Sequence, residues 1–361
     1  MLKRHSLYKI ESEEGNMRRK STILSVAVTV MISLCLMLTG KVGFDTPAFA
    51  ADKSKVYEIK LVTSNPSTDP TVQLFYKYAE EIKKLTNGGV EIQVYPSGEI
   101  LMGDEGIEAI MSDAAVITFN DLDVLADYVP EFNTLCASFL VDRHETIEEL
   151  TKTEIFKQIS DKADAANIHL ITANFVMGAR NILSTVEVRS VADAVKLNIR
   201  IPNVSSYVKA FEAFGANYSA ISWSDGITAC ETGMLNGAEC VSQRALSSGL
   251  YEVLKNPVYS MIQWRNAPVG LEIGAGYWNS LPEDYRKIIT EQFALCAIEN
   301  NDMLAAAEDE YVQKLKDAGV KIISYDEIDV ESFKAAVRPL NEAMPMFNEI
   351  SDIVEKIIAS R

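Results

Sequence analysis

The chain has 361 residues, of which 48% are hydrophobic and 24% are charged. It is therefore long and apolar enough to bury the cores of two domains of ordinary size, and global disorder is excluded. The formal net charge is −17, from 34 Lys/Arg against 51 Asp/Glu. Nucleic acid and anionic membrane surfaces repel such a polyanion, so we expect neither as a partner, although one local cationic pocket is compatible with that charge.

An export signal is the first predicted element. Three basic residues at 18–20 precede an apolar run of roughly 18 residues, and a small-x-small motif ends at Ala50. This order predicts a signal peptide over residues 1–50 with cleavage after Ala50, whether translation begins at Met1 or at Met17. The alternative is an uncleaved anchor, because the apolar run lies at the lower limit for a membrane span. Cleavage leaves 27 Lys/Arg against 47 Asp/Glu, a net charge of −20.

After the leader, the first predicted unit is a β-α-β unit. Residues 57–62 alternate as a half-buried strand does, and Asp69 followed by Pro70 supplies an N-cap and a proline for the first helical turn. Asn-Gly-Gly at 87–89 ends the helix before a second strand at 90–95. The apolar face of the helix recurs at three- and four-residue steps and consists of Val72, Phe75, Ala79, Ile82 and Leu85.

The alternation of strands and helices continues through the chain. A helix is predicted to open at Asp142, with Glu145 in the capping-box position. Further strands are predicted at 115–119, 169–172, 197–201, 238–242 and 321–325, and further helices near 103–112, 204–215 and 224–233. Such alternation predicts an α/β fold with mostly parallel sheets in two lobes. Proline and glycine are absent between Pro282 and Asp317, which favours one helix of about 54 Å, or two end to end, bracing both lobes.

The sequence lacks the motifs of common enzyme classes. It contains no nucleophile elbow, zinc-binding HExxH, P-loop or complete dinucleotide fingerprint. Its three histidines are His5, His144 and His169, of which the first belongs to the leader, so a histidine-based acid/base centre is not expected. We therefore expect no catalytic residues, no cofactor and no metal.

Four cysteines remain after removal of the leader: Cys136, Cys230, Cys240 and Cys296. They allow three disulfide pairings. A core of this size needs no such bonds, so buried free thiols are favoured, with disulfides as the alternative. No CxxC or Cys/His spacing indicates a metal site.

Five short motifs follow one another in a specific order. They are Tyr-Pro-Ser-Gly at 95–98, Gly-Ala-Arg at 178–180, a strand with Arg200 just before Pro202, a Thr-Gly-x-x-Asn-Gly-x-Glu segment at 232–239, and Trp-Asn-Ser-Leu-Pro at 278–282. Their order and spacing resemble the solute-binding proteins of tripartite ATP-independent periplasmic (TRAP) transporters, of the dicarboxylate-binding subunit type. The resemblance covers about 55–340.

The resemblance implies a two-lobed clamshell like that of other periplasmic binding proteins, with a long bracing helix. We expect the lobes to divide the chain as follows: lobe I comprises 51–176 plus about 266–305, and lobe II comprises 177–265 plus about 306–361. Two short crossings would join the lobes and serve as hinges.

The resemblance also implies an arginine that clamps the ligand carboxylate by a two-point salt bridge, and Arg200 occupies that position. A guanidinium offers parallel N–H donors that match a carboxylate, and its charge persists at physiological pH. Arg180 matches a second position that contacts the same end of the ligand. Cys240 stands where many members of the family have an asparagine. Glu105 corresponds to a ligand-contacting acidic residue of the family if the two extra residues between 98 and 103 are treated as an insertion.

Further candidate residues come from their places in the predicted elements. Trp223 and Phe175 are either walls of an apolar pocket or core aromatics. Asn120 and Glu239 end apolar strands and are expected at the crevice where open α/β sheets bind ligands, with turn or capping roles as the alternative.

Together these features predict an exported, monomeric solute-binding protein that captures a small carboxylate ligand. Candidate classes are a dicarboxylate, a sugar acid, a keto acid and an acidic amino acid. The implied partners are TRAP-type membrane permease subunits driven by an ion gradient, and closure of the lobes would signal the bound state. The alternatives are a ligand-sensing ectodomain and an exported enzyme acting on an organic acid.

Overall fold

The protein is described by a computed structural model over residues 55–101 and 103–361. The predicted signal peptide over 1–50, the cleavage after Ala50 and the question of the start codon lie outside the described residues. In the part of the chain that is described, no helix combines the length and apolarity needed to cross a bilayer.

Strands and helices alternate along the described chain. The strands are β1 Tyr57–Val62, β2 Val90–Tyr95, β3 Val116–Asp121, β4 Ile168–Phe175, β5 Arg180–Ser184, β6 Asn198–Ile201, β7 Asn217–Ala220, β8 Gly237–Cys240, β9 Val258–Arg265, β10 Val269–Gly274 and β11 Lys321–Ile323. The helices are α1 Pro70–Leu85, α2 Asp104–Met111, α3 Glu131–Leu135, α4 His144–Leu150, α5 Glu154–Ala165, α6 Ser205–Ala213, α7 Trp223–Glu231, α8 Ser242–Ser247, α9 Leu250–Val253, α10 Ala275–Ser280, α11 Glu283–Asp317, α12 Val330–Glu342 and α13 Phe347–Ala359. Short 3₁₀ helices lie at Leu122–Leu125, Val191–Lys196 and Tyr325–Glu327.

The strands form two sheets, which confirms the predicted two-lobed α/β architecture. The first sheet has the order β2-β1-β3-β10-β4 and belongs to lobe I, and the second has the order β11-β9-β5-β8-β6-β7 and belongs to lobe II. Both sheets are mixed, because β10 and β5 run antiparallel to both of their neighbours. The prediction of mostly parallel sheets therefore holds for β1, β2 and β3 and for β6, β7 and β8, but not for the strands nearest the crossings.

Two short segments connect the lobes side by side. Residues 176–179 lead from β4 to β5, and residues 266–268 lead from β9 back to β10. The register places Val269 opposite Phe175 on one side of the crossings and Arg180 opposite Arg265 on the other. The two lobes are therefore joined by a double crossing of extended backbone.

Two predicted helix details need correction. The N-cap of α1 is Asp69 as predicted, and its side chain accepts a hydrogen bond from the Thr71 amide at 2.9 Å, but Leu85 is 51% exposed because the last turn passes beyond the core. Helix α4 begins at His144 rather than Asp142, and its N-cap is Arg143 without a side-chain cap. The Asp142 carboxylate accepts the Thr146 hydroxyl hydrogen bond instead of capping the backbone.

The C-terminal helix packs on lobe I. Ile350 and Val354 of α13 are buried in the apolar cluster that includes Leu125, Phe132 and Ile147 of that lobe. The expected assignment of the last segment of the chain to lobe II is therefore corrected for α13. The sequence shows that α13 has an apolar face. It does not show which lobe that face packs against, because both lobes offer apolar surface.

Helix α11 braces both lobes, as predicted. It is one helix of 35 residues, about 53 Å long, and packs against α1 and β4 of lobe I and against α8 and β11 of lobe II. Buried Asn301 accepts a hydrogen bond from the Val176 amide at 3.0 Å and donates to the Asn174 carbonyl at 2.7 Å. Asn300 donates to the Val176 carbonyl at 3.0 Å. The helix thus holds the backbone where the first crossing begins.

Candidate functional site

A cavity lies between the two lobes beside the crossings. Its volume is about 200 Å³. Both lobes supply lining residues: Ser64, Asn65, Phe119, Asn120, Asp121, Val124 and Val269 from lobe I, and Met177, Arg180, Arg200, Pro202, Val204, Tyr207, Trp223, Glu239, Cys240, Val241 and Arg244 from the crossing and lobe II. A second cavity of about 610 Å³ adjoins it and shares Ser64, Arg200, Trp223 and Arg244. Strands β3, β6 and β8 all end here, which is where α/β sheets commonly bind ligands.

Arg200 projects into this cavity from β6. Its Nε donates to the Ile221 carbonyl at 2.9 Å, and its Cζ lies 5.2 Å from the centroid of the Trp223 ring. The pKa of Arg200 is lowered to about 10, chiefly by burial; the carboxylate of Glu239 opposes this effect, and the charges of Arg180 and Arg244 add to it. The guanidinium therefore stays charged at physiological pH while it lacks a compensating carboxylate.

The Arg200 side chain is held by close packing against α7. A Cβ added to Gly226 would lie 2.5 Å from the Arg200 Cγ and 3.0 Å from its Cβ. Only glycine lets the helix approach the arginine stem this closely, since real Cβ contacts are not found at such distances. The sequence reasoning missed Gly226, because its signal is a tertiary contact and not a local motif.

Arg180 also lines the cavity, but its charge is already neutralised. Its Nη1 donates to both Glu239 carboxylate oxygens, at 3.0 and 3.2 Å, and its Nη2 lies 3.4 Å from the Asp121 carboxylate. Burial opposes the charged form of Arg180, but the carboxylates of Glu239 and Asp121 outweigh it and raise the pKa of Arg180 well above its ordinary value. Arg180 is therefore part of a partly buried ion-pair network at one end of the cavity, in which Glu239 is fully buried.

Arg244 is a site residue that the sequence reasoning missed. It lies in α8, directly after β8, and its Nη2 donates to Asn65 of lobe I at 3.3 Å. Its Cζ lies 5.4 Å from the centroid of the Trp223 ring, so two guanidinium groups contact the same indole. Burial, and then the charge of Arg180, lowers the pKa of Arg244. The sequence feature that could have indicated Arg244 is its position just beyond the end of β8, which already carries the candidate residues Glu239 and Cys240.

Asn120 and Cys240 supply the neutral polar groups of the lining. The Asn120 side-chain amide donates to Glu272 at 3.2 Å, and the Thr118 hydroxyl donates to the same oxygen at 2.7 Å. Burial raises the pKa of Glu272 well above its ordinary value. Cys240 is 1% exposed, and burial raises the pKa of its thiol, so a neutral thiol stands where many relatives are expected to have an asparagine. Cys136, Cys230, Cys240 and Cys296 are all free and buried.

Phe175 and Glu105 are not brought into the cavity. Phe175 is fully buried in a cluster with Phe75 and Phe119, with ring centroids 5.8 and 5.3 Å from its own. Because side chains alternate along a strand, the last residue of β4 faces the lobe I core and not the cleft, so Phe175 is a core residue. Glu105 is exposed in the first turn of α2 and does not line the cavity.

Polar contacts across the cleft close the lobes around the cavity. The Tyr207 hydroxyl donates to Asp121 at 3.0 Å, and the Gln243 amide donates to Asp69 at 3.3 Å. Beside the crossings, buried Arg265 donates to Asp123 at 2.7 Å. In the described conformation these pairs are direct contacts between the two lobes.

Comparisons with known proteins agree with this architecture. Residues 61–346 match the family model for bacterial extracellular solute-binding protein, family 7 (DctP). A solute-binding protein of Chromohalobacter salexigens is 26% identical over 277 residues, covering 76% of this chain and 81% of that protein. A TRAP periplasmic solute-binding protein of Fusobacterium nucleatum, solved with bound sn-glycerol 3-phosphate, is 27% identical with a TM-score of 0.79 over 84% of this chain and 99% of its own. A TRAP periplasmic solute-binding protein of Chromohalobacter salexigens, solved with bound D-glucuronate, is 25% identical, with a TM-score of 0.74 over 84% of this chain and 100% of its own.

Proposed function

This chain belongs to family 7 of the bacterial extracellular solute-binding proteins, and on that premise we propose that Arg200 binds the acidic group of its solute between the closed lobes. The observation that carries the proposal is a partly buried, charged guanidinium that lines the inter-lobe cavity and has no carboxylate within ion-pair distance among the described residues. A guanidinium binds most strongly to an anion that can accept two parallel hydrogen bonds from it.

The proposed solute is a small organic acid anion, with a carboxylate as the expected acidic group. Support comes from the relatives: the solved Chromohalobacter protein holds D-glucuronate, and a C4-dicarboxylate-binding periplasmic protein of Rhodobacter capsulatus is 22% identical over 74% of this chain. The Fusobacterium protein, which holds sn-glycerol 3-phosphate, shows that phosphate esters occur as ligands among the similar proteins. All three ligand classes are anions of a few carbon atoms.

We also propose that the protein acts outside the cytoplasmic membrane as a monomer, delivers its solute to TRAP-type permease subunits, and is not an enzyme. The family description and the names of the relatives support delivery of a solute rather than its conversion. A sensor ectodomain would share the cavity, and the identity of neighbouring genes would distinguish it. An exported enzyme would turn over its ligand, so mass analysis of a candidate acid after incubation with the protein separates the two.

A thermal-shift screen against small carboxylates tests the ligand proposal. A ligand that binds only the native state raises the melting temperature, so at least one acid should do so for the wild type. Arg200→Ala should remove that response. Arg189→Ala is the matched control, because Arg189 belongs to lobe II but forms exposed ion pairs with Glu187 and Glu327. A full ligand response in Arg200→Ala would contradict the proposed site.

A further inference from the structure

Four residues of the lobe I sheet meet on one face beside the cavity. In the antiparallel pair of β3 and β10, Thr118 lies opposite Glu272 and Asn120 lies opposite Gly270. Residues two apart on a strand point to the same face, so these four positions are neighbours. A Cβ added to Gly270 would lie 2.7 Å from the Glu272 Oε1. The missing side chain of Gly270 therefore leaves room for the Glu272 carboxyl group beside Asn120.

The Glu272 carboxyl group receives two hydrogen bonds on one oxygen. The Thr118 hydroxyl donates to Oε2 at 2.7 Å, and the Asn120 Nδ2 donates to the same atom at 3.2 Å. Glu272 is fully buried, and burial raises the pKa of its carboxyl group well above the ordinary value, which favours the protonated form. In that form the oxygen that accepts two hydrogen bonds is the carbonyl oxygen, so Asn120 meets an acceptor and donates to it.

The Asn120 amide therefore presents its oxygen to the cavity. Asn120 lines the cavity, and in a planar amide Oδ1 points away from the partner of Nδ2. The carboxylates at this end already have donors of their own. Asp121 accepts hydrogen bonds from Arg180 and Tyr207, and Glu239 is fully buried and accepts from Arg180. The Asn120 Oδ1 is thus the acceptor that this end of the cavity offers to a ligand.

The packing of Glu272 is costly for stability. Its Oε1 is buried without a hydrogen-bond partner among the described residues. A buried carboxyl group with an unsatisfied oxygen costs free energy. A buried group with a strongly raised pKa beside a ligand cavity is typical of a functional site. We therefore look for the role of Glu272 in binding.

We propose that Glu272 is a positioning residue for solute selection: it fixes the Asn120 amide with its oxygen toward the cavity, so that the site prefers a hydroxyl group to a second acidic group at this end of the solute. A hydroxyl group donates to the Asn120 oxygen, whereas a carboxylate has no hydrogen to donate and would meet an acceptor. Without the Glu272 acceptor, the amide can turn by about 180° and offer its nitrogen instead. This inference rests on the proposed function, because Arg200 binds the acidic group that all candidate solutes share.

Titration calorimetry at pH 7 with two matched pairs of acids tests the inference. 4-Hydroxybutyrate and succinate share a four-carbon chain, and gluconate and glucarate share a hydroxylated six-carbon chain. In each pair the first acid ends in a hydroxymethyl group where the second has another carboxylate. In at least one pair, the wild type should bind the hydroxy acid at least about tenfold more tightly than the diacid, because the diacid leaves the amide oxygen facing a second acceptor.

Substitutions of Glu272 should change this preference according to whether an acceptor remains. Glu272→Met removes the acceptor at similar volume and should reduce the preference to less than about threefold, because a single fixed hydrogen bond is lost. Glu272→Gln retains an acceptor oxygen for Asn120 and should restore the preference. Glu131→Met is the matched control and should leave the preference unchanged, because Glu131 is a buried carboxylate of lobe I outside the cavity lining.

A double-mutant cycle shows whether Glu272 acts through Asn120. Asn120→Leu should also abolish the preference, and adding Glu272→Met to it should cause no further change. Independent, additive effects of the two substitutions would show that Glu272 acts by another route. A general loss of packing would not produce this dependence on one partner.

The outcomes separate this inference from the proposed function. Equal or tighter binding of both diacids by the wild type, no binding of either hydroxy acid, or an unchanged preference in Glu272→Met overturns the role of Glu272, even if Arg200→Ala abolishes acid binding and so supports the proposed function. Full acid binding in Arg200→Ala overturns the proposed function. If Glu272→Met does not fold, as shown by its ligand-free melting curve, a crystal structure of the wild type with the bound hydroxy acid decides. The Asn120 Nδ2 should then still donate to Glu272 while Oδ1 accepts the terminal hydroxyl, and a reversed amide would overturn the inference.

Discussion

The two ends of the inter-lobe cavity contain the same kind of side chain in opposite electrostatic settings. Arg180 is enclosed by the carboxylates of Glu239 and Asp121, whereas Arg200 and Arg244 contact a neutral indole and backbone or amide oxygens. In the first arrangement, removal of one partner leaves the charge of the other uncompensated in a poorly solvated place, and the fold is destabilised. The second leaves charge available for a ligand. The role of an arginine in this protein is therefore determined by its neighbours.

The largest effect should follow from breaking the paired end. Glu239 is fully buried, so Glu239→Gln leaves Arg180 with only the longer contact to Asp121, and we expect the free energy of unfolding to fall by about 3 kcal/mol. Urea denaturation monitored by circular dichroism measures this change. Arg200→Met is the contrasting variant at the unpaired end, where the free energy of unfolding should stay within about 1 kcal/mol of wild type or increase. Similar losses in both variants would contradict the distinction between the two ends.

A smaller effect should follow from displacing Arg200 without removing it. In Gly226→Ala the added methyl group would lie 2.5 Å from the Arg200 Cγ, so the arginine stem must shift. We expect ligand affinity to fall at least about tenfold, because a displacement of about 1 Å at a positioned group can cost up to about a hundredfold. The stability of the ligand-free protein should change little, since alanine favours the helix by up to about 1 kcal/mol relative to glycine.

Thr228→Ala is the control for that experiment, because Thr228 is exposed on the same helix and its hydroxyl contacts only the Ser224 carbonyl. Affinity should be unchanged in this variant. Wild-type affinity in Gly226→Ala would show that the close approach of α7 is not needed to position the guanidinium.

The smallest effect concerns Glu272, a buried carboxyl group near the cavity that no arginine contacts. Burial raises the pKa of Glu272 well above the ordinary value of about 4.3, so the folded state holds the proton more tightly than the unfolded state. The stability that this proton provides is fully present below about pH 4.3 and is lost as the pH rises toward the folded-state pKa. Glu272→Gln should therefore raise the free energy of unfolding by about 1 kcal/mol at pH 7 and leave it unchanged near pH 4. Denaturation curves at both pH values measure the difference, and an equal effect at both would contradict the assigned cause.

Elements with a local signal were predictable from the sequence. The strands at Tyr57–Val62 and Val90–Tyr95 alternate visibly, α1 carries its own cap, and α11 is a long segment free of helix breakers. Strands β9 and β10 were not predicted, because nearly all of their residues are buried and the alternation that marks a strand is absent. Those two strands account for much of the antiparallel pairing in the sheets.

The site was predictable only in part, for a related reason. Arg200, Arg180, Asn120, Trp223, Glu239 and Cys240 were expected near the cleft, and the structure places all six in the cavity lining. The partners of Arg180 could not be predicted, because Asp121 and Glu239 each lie 59 positions away in the chain. Arg244 lies in a six-residue helix that carries no motif, so its position just beyond the end of β8 was the one available signal, and Gly226 was missed because its importance arises from one tertiary contact.

A crystal structure of the protein with the tightest-binding acid from the ligand screen tests the central claim most directly. The account predicts that an acidic oxygen of the ligand lies about 2.7–3.2 Å from a terminal nitrogen of Arg200, in the cavity between the closed lobes. A ligand bound elsewhere, or an Arg200 guanidinium directed into solvent away from the ligand, would contradict it.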